Sequence, residues 1–91
     1  MKVEGQIKVI KDTQVVSESF KKREFVLTTQ DGNYTQDILF QLTQDKVSLL
    51  DTIQVNERVE IEFNLNGKEW ISPDGTSKYF NVLSAWKIQK L

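Results

Sequence analysis

Phe20 is followed by three consecutive cations, Lys21, Lys22 and Arg23, and far along the chain Lys68 and Lys78 bracket a run that holds Trp70 and ends beside Tyr79. Cations that track a phosphate backbone, interleaved with rings that stack on bases, are the chemistry of sequence-tolerant single-strand binding. Each stacked base is worth about 1–3 kcal/mol. Tyr34, directly after Asp31-Gly32-Asn33, supplies one more candidate ring. Trp70 stands out because Lys68, Glu69 and Ser72 around it are polar and no periodicity claims it for a core. An exposed tryptophan of that kind marks a partner surface. The same residues admit plainer readings: a solvated strand start whose charge Glu18 and Glu24 offset, and a tryptophan folded back as a lid over the core.

Catalysis has little to draw on. The chain has no histidine and no cysteine, so the commonest general base and the thiolate nucleophile are both missing. Glu60 and Glu62 share one strand face, an arrangement that serves solubility more often than acid–base work. The four glycines stand singly, which leaves no phosphate-cradling loop, and no set of residues has the make-up of a metal site. The expectation is a non-enzyme with no catalytic residues, no metal and no cofactor. The net charge of −1 counts against a duplex binder, whose affinity comes largely from phosphate neutralisation, but a local basic stripe acts where the total does not. No apolar run reaches the roughly 18–20 residues of a membrane-spanning helix. The first residues lack a signal core, so no membrane partner and a cytoplasmic home are expected.

The elements that must position these side chains follow from periodicity. Ninety-one residues suffice for one domain, residues 1–91. Val3, Gly5, Ile7 and Val9 alternate with Glu4, Gln6, Lys8 and Ile10 and read as a first strand with one buried face. Asp12 to Ser19 has no clear period and reads as a long loop. Lys21–Thr29 is a second strand, Asp31-Gly32-Asn33 a hairpin turn, and Tyr34–Leu42 a third strand with Ile38, Phe40 and Leu42 inward. Between Asp45 and about Ile53 the period changes. Val47, Leu50 and Ile53 recur at helical spacing and Asp45 suits an N-cap, which predicts a short helix. Asn56 fits a left-handed turn. Val59, Ile61, Phe63 and Leu65 alternate in a fourth strand. Gly67 to Lys78 is a second long loop or extended hairpin with Ser72-Pro73-Asp74-Gly75 at its tip. A last strand runs from Tyr79 to about Gln89, with Phe80, Val82, Trp86 and Ile88 on its inner side. Trp86 is therefore expected in the core, and Trp70 and Tyr79 in solvent. Three strands, a short helix and two strands, with long 1–2 and 4–5 loops, predict an all-β, five-stranded OB-fold Greek-key barrel with one short helix between strands 3 and 4.

From Asp37 onward the chain resembles the bacterial single-stranded DNA-binding protein family. The residues that carry this are Ile38-Leu39-Phe40-Gln41-Leu42, Asp45 to Asp51, Glu57-Arg58-Val59-Glu60-Ile61-Glu62, and above all Lys68-Glu69-Trp70, Asp74-Gly75 and Tyr79 in the 4–5 loop. The chain is also similar to a group of small bacterial OB-fold proteins marked by Lys21-Lys22-Arg23-Glu24-Phe25-Val26 and Ala85-Trp86-Lys87-Ile88. The resemblance implies that the 4–5 loop forms the arms of a DNA-binding hairpin. Two departures stand against it. Gln36 occupies the family's base-stacking position in strand 3. The chain also stops at Leu91, without the family's acidic tail that recruits repair enzymes.

Two functions follow as expectations. The first is a module that binds single-stranded DNA or RNA through Lys21, Lys22, Arg23, Lys68 and Lys78 on phosphates and Trp70, Tyr79, Tyr34 and Phe20 on bases. The second is a protein-interaction or accessory-subunit OB module, a homo-oligomer among the options, in which Trp70 anchors an interface.

Overall fold

Alternating apolar residues build six strands in the computed structural model, which describes residues 1–91. They are β1 (Lys2–Ile10), β2 (Gln14–Ser17), β3 (Phe20–Asp31), β4 (Tyr34–Thr43), β5 (Arg58–Ile71) and β6 (Ser77–Lys90), with a 3₁₀ helix, Gln44–Leu50, between β4 and β5. The sheet runs β1-β5-β6-β4-β3-β2, and β1 pairs again with β3. That second pairing closes a ring of five strands, β1, β3, β4, β6 and β5. All contacts in the ring are antiparallel except β4–β6, which meet in parallel at Gln41 and Ser84. This is the expected OB barrel. Closure removes most free edges. No helix is long and apolar enough to cross a membrane.

Inward positions of all five barrel strands and the 3₁₀ helix meet in one core of 12 buried residues. Phe40 sits at its centre, stacked on Phe25 at 5.4 Å and edge-on to Phe63 at 5.2 Å. Offset-stacked and edge-to-face pairs of this kind add about 0.5–1.5 kcal/mol each beyond burial. Gly5 lies where β1 crosses tightly over β3, and a Cβ there would stand 2.4 Å from the Thr28 carbonyl oxygen.

Several local expectations are corrected. Asp12 to Ser19 is not all loop: Gln14–Ser17 folds onto β3 as a short outer strand, exposed along its whole length. The expected short helix is present, as a 3₁₀ helix that begins at Gln44 rather than Asp45. Thr43 holds the N-cap position in extended backbone, without a side-chain cap bond, and Asp45 lies inside the first turn. The physical reason is the spacing itself. Val47 and Leu50, both buried, stand three apart within the helix, and side chains three apart eclipse in a helix of 3.0 residues per turn. Ile53, also buried, lies beyond its end at Leu50. Asn56 does adopt the left-handed conformation, with φ 78°.

Two bulges overturn part of the inward sets assigned at the ends of the chain: Val3, Ile7 and Ile88 face the core as expected, whereas Val9, Phe80 and Trp86 do not. In β1 the register slips between Ile7, opposite Leu27, and Val9, opposite Val26. Val9 thereby turns outward and Ile10 packs against the core. In β6 it slips between Lys87, opposite Glu62, and Ala85, opposite Phe63, leaving Trp86 without a cross-strand partner. One extra residue reverses the alternation beyond it. Leu83, Ala85 and Ile88 face the core, while Phe80 is exposed and Trp86 is 42% exposed. Leu65, expected inward, is also exposed, because β5 has left the barrel by that point.

Candidate nucleic-acid interface

Beyond the bulge, β5 and β6 continue in unbroken register from Phe63 opposite Ala85 to Ile71 opposite Ser77. Every residue from Asn64 to Ile71 is exposed, so this stretch is a two-stranded arm projecting from the barrel. Its tip is the expected turn. The Gly75 amide donates to the Ser72 carbonyl at 2.9 Å and the Ser72 amide to the Thr76 carbonyl at 2.9 Å. Gly75 takes φ 86°, where a side chain would be strained. The Asp74 carboxylate accepts the Ser72 hydroxyl and the Thr76 amide. These bonds, Ser72 foremost, hold Asp74 down at about 2.

The register decides which side chains share a face. Lys68 is opposite Phe80 and Trp70 opposite Lys78, so two rings and two ammonium groups alternate diagonally on one face of the arm. The Lys78 ammonium stands 6.0 Å from the Trp70 ring centroid, at the limit of cation–π attraction. These four residues alone line a shallow cleft of about 450 Å³. Tyr79 is on the other face, opposite Glu69, and its hydroxyl donates to the Glu69 carboxylate at 2.8 Å. It is 74% exposed and Trp70 46%, as expected, but Trp86 at 42% differs little from Trp70. Exposure therefore does not single out Trp70; its neighbours do.

Phe80 belongs to a second, larger cleft as well. About 700 Å³ opens between the outer side of β3–β4 and β6, lined by Lys22, Glu24, Asp37, Leu39, Gln41, Leu65, Phe80, Asn81 and Val82 among others. Phe80 joins the two clefts into one surface with Trp70 at one end, Leu39 and Val82 as apolar floor, and Lys22, Lys68 and Lys78 along it. Two carboxylates enter the larger cleft. Glu24 stands 3.9 Å from the Lys11 ammonium. Asp37 accepts Lys8 at 2.6 Å and the Thr28 hydroxyl at 2.8 Å. The Lys8 bond first, then the Thr28 bond, lowers its pKa below the usual carboxylate value.

The remaining expected site residues are dispersed. Alternation sends Lys21 and Lys22 to opposite sides of β3. Phe20 and Lys21 line a separate hollow with Val15, Ser17 and Gln44. Arg23 points inward. Its Nε donates to the Lys11 carbonyl at 2.8 Å and its Nη1 to the Val47 carbonyl at 3.4 Å and the Asp51 carboxylate at 3.0 Å. Tyr34 stands at the β3–β4 turn, opposite Asp31. Phe80 and Leu39 were missed. Phe80 is opposite Lys68 because the turn closes between Ser72 and Thr76, one residue beyond Gly75; counting outward from Ser72 and Gly75 would have set Tyr79 there instead.

The structure is similar to the mitochondrial single-stranded DNA-binding protein Rim1 of S. cerevisiae, with TM-score 0.74 and 15% identity, over 100% of this chain and 92% of that one. A selenomethionine-labelled form of Rim1 gives TM-score 0.67 and 14% identity with the same coverage. The Plasmodium falciparum SSB in complex with ssDNA gives 0.66 and 17% identity, again over 100% and 92% of the two chains. At such identities the likeness shows a shared fold. No curated protein matches the sequence. A family described as "Domain of unknown function (DUF3127)" matches residues 2–89.

Proposed function

We propose that this chain, which belongs to the DUF3127 family, is a non-catalytic OB module that binds single-stranded nucleic acid across the joined clefts. The observation that carries the reading is the continuity through Phe80 of an aromatic and apolar floor flanked by Lys22, Lys68 and Lys78. In this arrangement Trp70 and Phe80 stack on bases and the three lysines meet phosphates. That the solved structures sharing the fold include an SSB in complex with ssDNA supports it. Phe20, Lys21 and Tyr34 stand apart from the surface, and Arg23 is engaged within the fold.

Fluorescence anisotropy of a labelled single strand, titrated at several salt concentrations, tests this. Three phosphate contacts give a log–log salt slope of roughly −2, at about −0.7 for each phosphate neutralised on single strands. Trp70→Ala and Phe80→Ala each cost about 1–3 kcal/mol of binding, whereas Tyr79→Ala, on the opposite face, leaves affinity unchanged. Equal losses at all three rings would refute the face assignment. A second reading, a protein-interaction module, is favoured by the net charge of −1 and by Ile71 and Tyr79, exposed on the arm's other face. Absence of binding at high micromolar protein would transfer the surface to that reading.

A further inference from the structure

The large cleft is mixed in character, and the mixture has a consequence for which bases it accepts. On the outer face of β3–β4, Val26 is opposite Leu39, with the Glu24–Gln41 pair on one side and the Thr28–Asp37 pair on the other. A base lying flat on the Leu39 and Phe80 floor turns its edge toward these walls. Glu24 and Asp37 are carboxylates, and an ionised carboxylate only accepts hydrogen bonds. Neither is used up. Lys11 is a distant partner of Glu24, at 3.9 Å. Asp37 takes one bond on each oxygen, from Lys8 on Oδ2 and Thr28 on Oδ1, out of about four lone-pair sites. Those two bonds also fix its carboxylate in place. The same charges repel phosphates, so the backbone of a bound strand must follow the lysines while the bases point toward the acids.

Resting on the single-strand reading above, we infer that Glu24 and Asp37 make the cleft selective for bases carrying an exocyclic amino group, cytosine, adenine and guanine, over thymine and uracil. Cytosine offers its N4 amino protons to a carboxylate, the pairing that carboxylates make with cytosine edges elsewhere. Uracil and thymine put a carbonyl oxygen at the same place. Their one ring N–H donor lies between two carbonyls, so a carboxylate that approaches it meets repulsion on both sides.

The cleanest probe is a pair of deoxycytidine and deoxyuridine homopolymers of equal length, which differ only at C4 and in the proton on N3, titrated by anisotropy at neutral pH. The expected result is deoxycytidine bound on the order of tenfold more tightly. In the Glu24→Gln, Asp37→Asn double variant, whose amides both donate and accept, the two strands should bind within about twofold of each other. Circular dichroism verifies that the double variant is folded, and the comparison on the unaltered protein stands without it. Deoxyuridine bound as tightly as deoxycytidine by the unaltered protein overturns the selectivity and leaves the single-strand reading intact. A deoxycytidine preference that survives in the folded double variant overturns the role of the two acids. Binding of neither strand overturns both readings together.

Discussion

Replacing Arg23 by methionine removes a guanidinium while keeping an apolar stem of similar reach, and it separates two roles that the basic triplet leaves entangled. The side chain is only 17% exposed. Its Nε bond to the Lys11 carbonyl is short, 2.8 Å, and a hydrogen bond from a charged donor contributes about 1.5–3 kcal/mol. The bond to the Val47 carbonyl, at 3.4 Å, adds little. Asp51 is 66% exposed, so solvent screening limits that ion pair to about 0–1 kcal/mol. The sum is a loss of roughly 2 kcal/mol. In a domain of this size each kcal/mol moves Tm by about 4–8 °C, so melting should fall by roughly 8–16 °C. Thermal denaturation followed by circular dichroism reads it. The anisotropy salt slope, measured well below the new Tm, should not change, because the guanidinium faces the 3₁₀ helix and not the cleft. An unchanged Tm together with a slope shallower by about 0.7 would show a phosphate contact and refute the structural role. Arg23→Lys should restore little of the lost stability, since an ammonium cannot reach several acceptors at once as the planar fork does.

Two further outcomes follow from the register and the turn. Trp86→Ala should cost less than about 1.5 kcal/mol in denaturant unfolding, because the ring sits on a bulge, 42% exposed; a loss of about 3–5 kcal/mol, the range of a core tryptophan, would place it in the core after all. Asp74 is held at about 2, below the ordinary 3.8, so what its carboxylate contributes to the turn is complete above the ordinary value and disappears as pH falls through about 2. The Thr76 amide resonance, followed by NMR from about pH 5 to about pH 1, should shift with a midpoint near that lowered value, and a midpoint at the ordinary carboxylate value would refute the bond.

The residues themselves determined the barrel. Alternation in Val59, Ile61 and Phe63, the turn sequences Asp31-Gly32-Asn33 and Ser72-Pro73-Asp74-Gly75, and the left-handed Asn56 are local properties, set by side-chain polarity and backbone sterics over a few positions. The lack of histidine and cysteine likewise needs no coordinates to argue against catalysis by either side chain. The faces at the ends of strands were a different matter. Whether Trp86 or Ala85 points inward depends on a bulge, and a bulge exists only relative to the partner strand, here Glu62 and Phe63 far along the chain. A one-residue slip reverses the alternation on one side of it, so periodicity within a single strand cannot locate it. Arg23 shows the same dependence. Its three acceptors come from the chain after β1 and from the segment of the 3₁₀ helix and its end, and only folding brings them within reach of one guanidinium. Phe80 joins Trp70 rather than the core because β5 and β6 outrun the barrel together, and how far a hairpin projects is fixed by where the rest of the sheet closes.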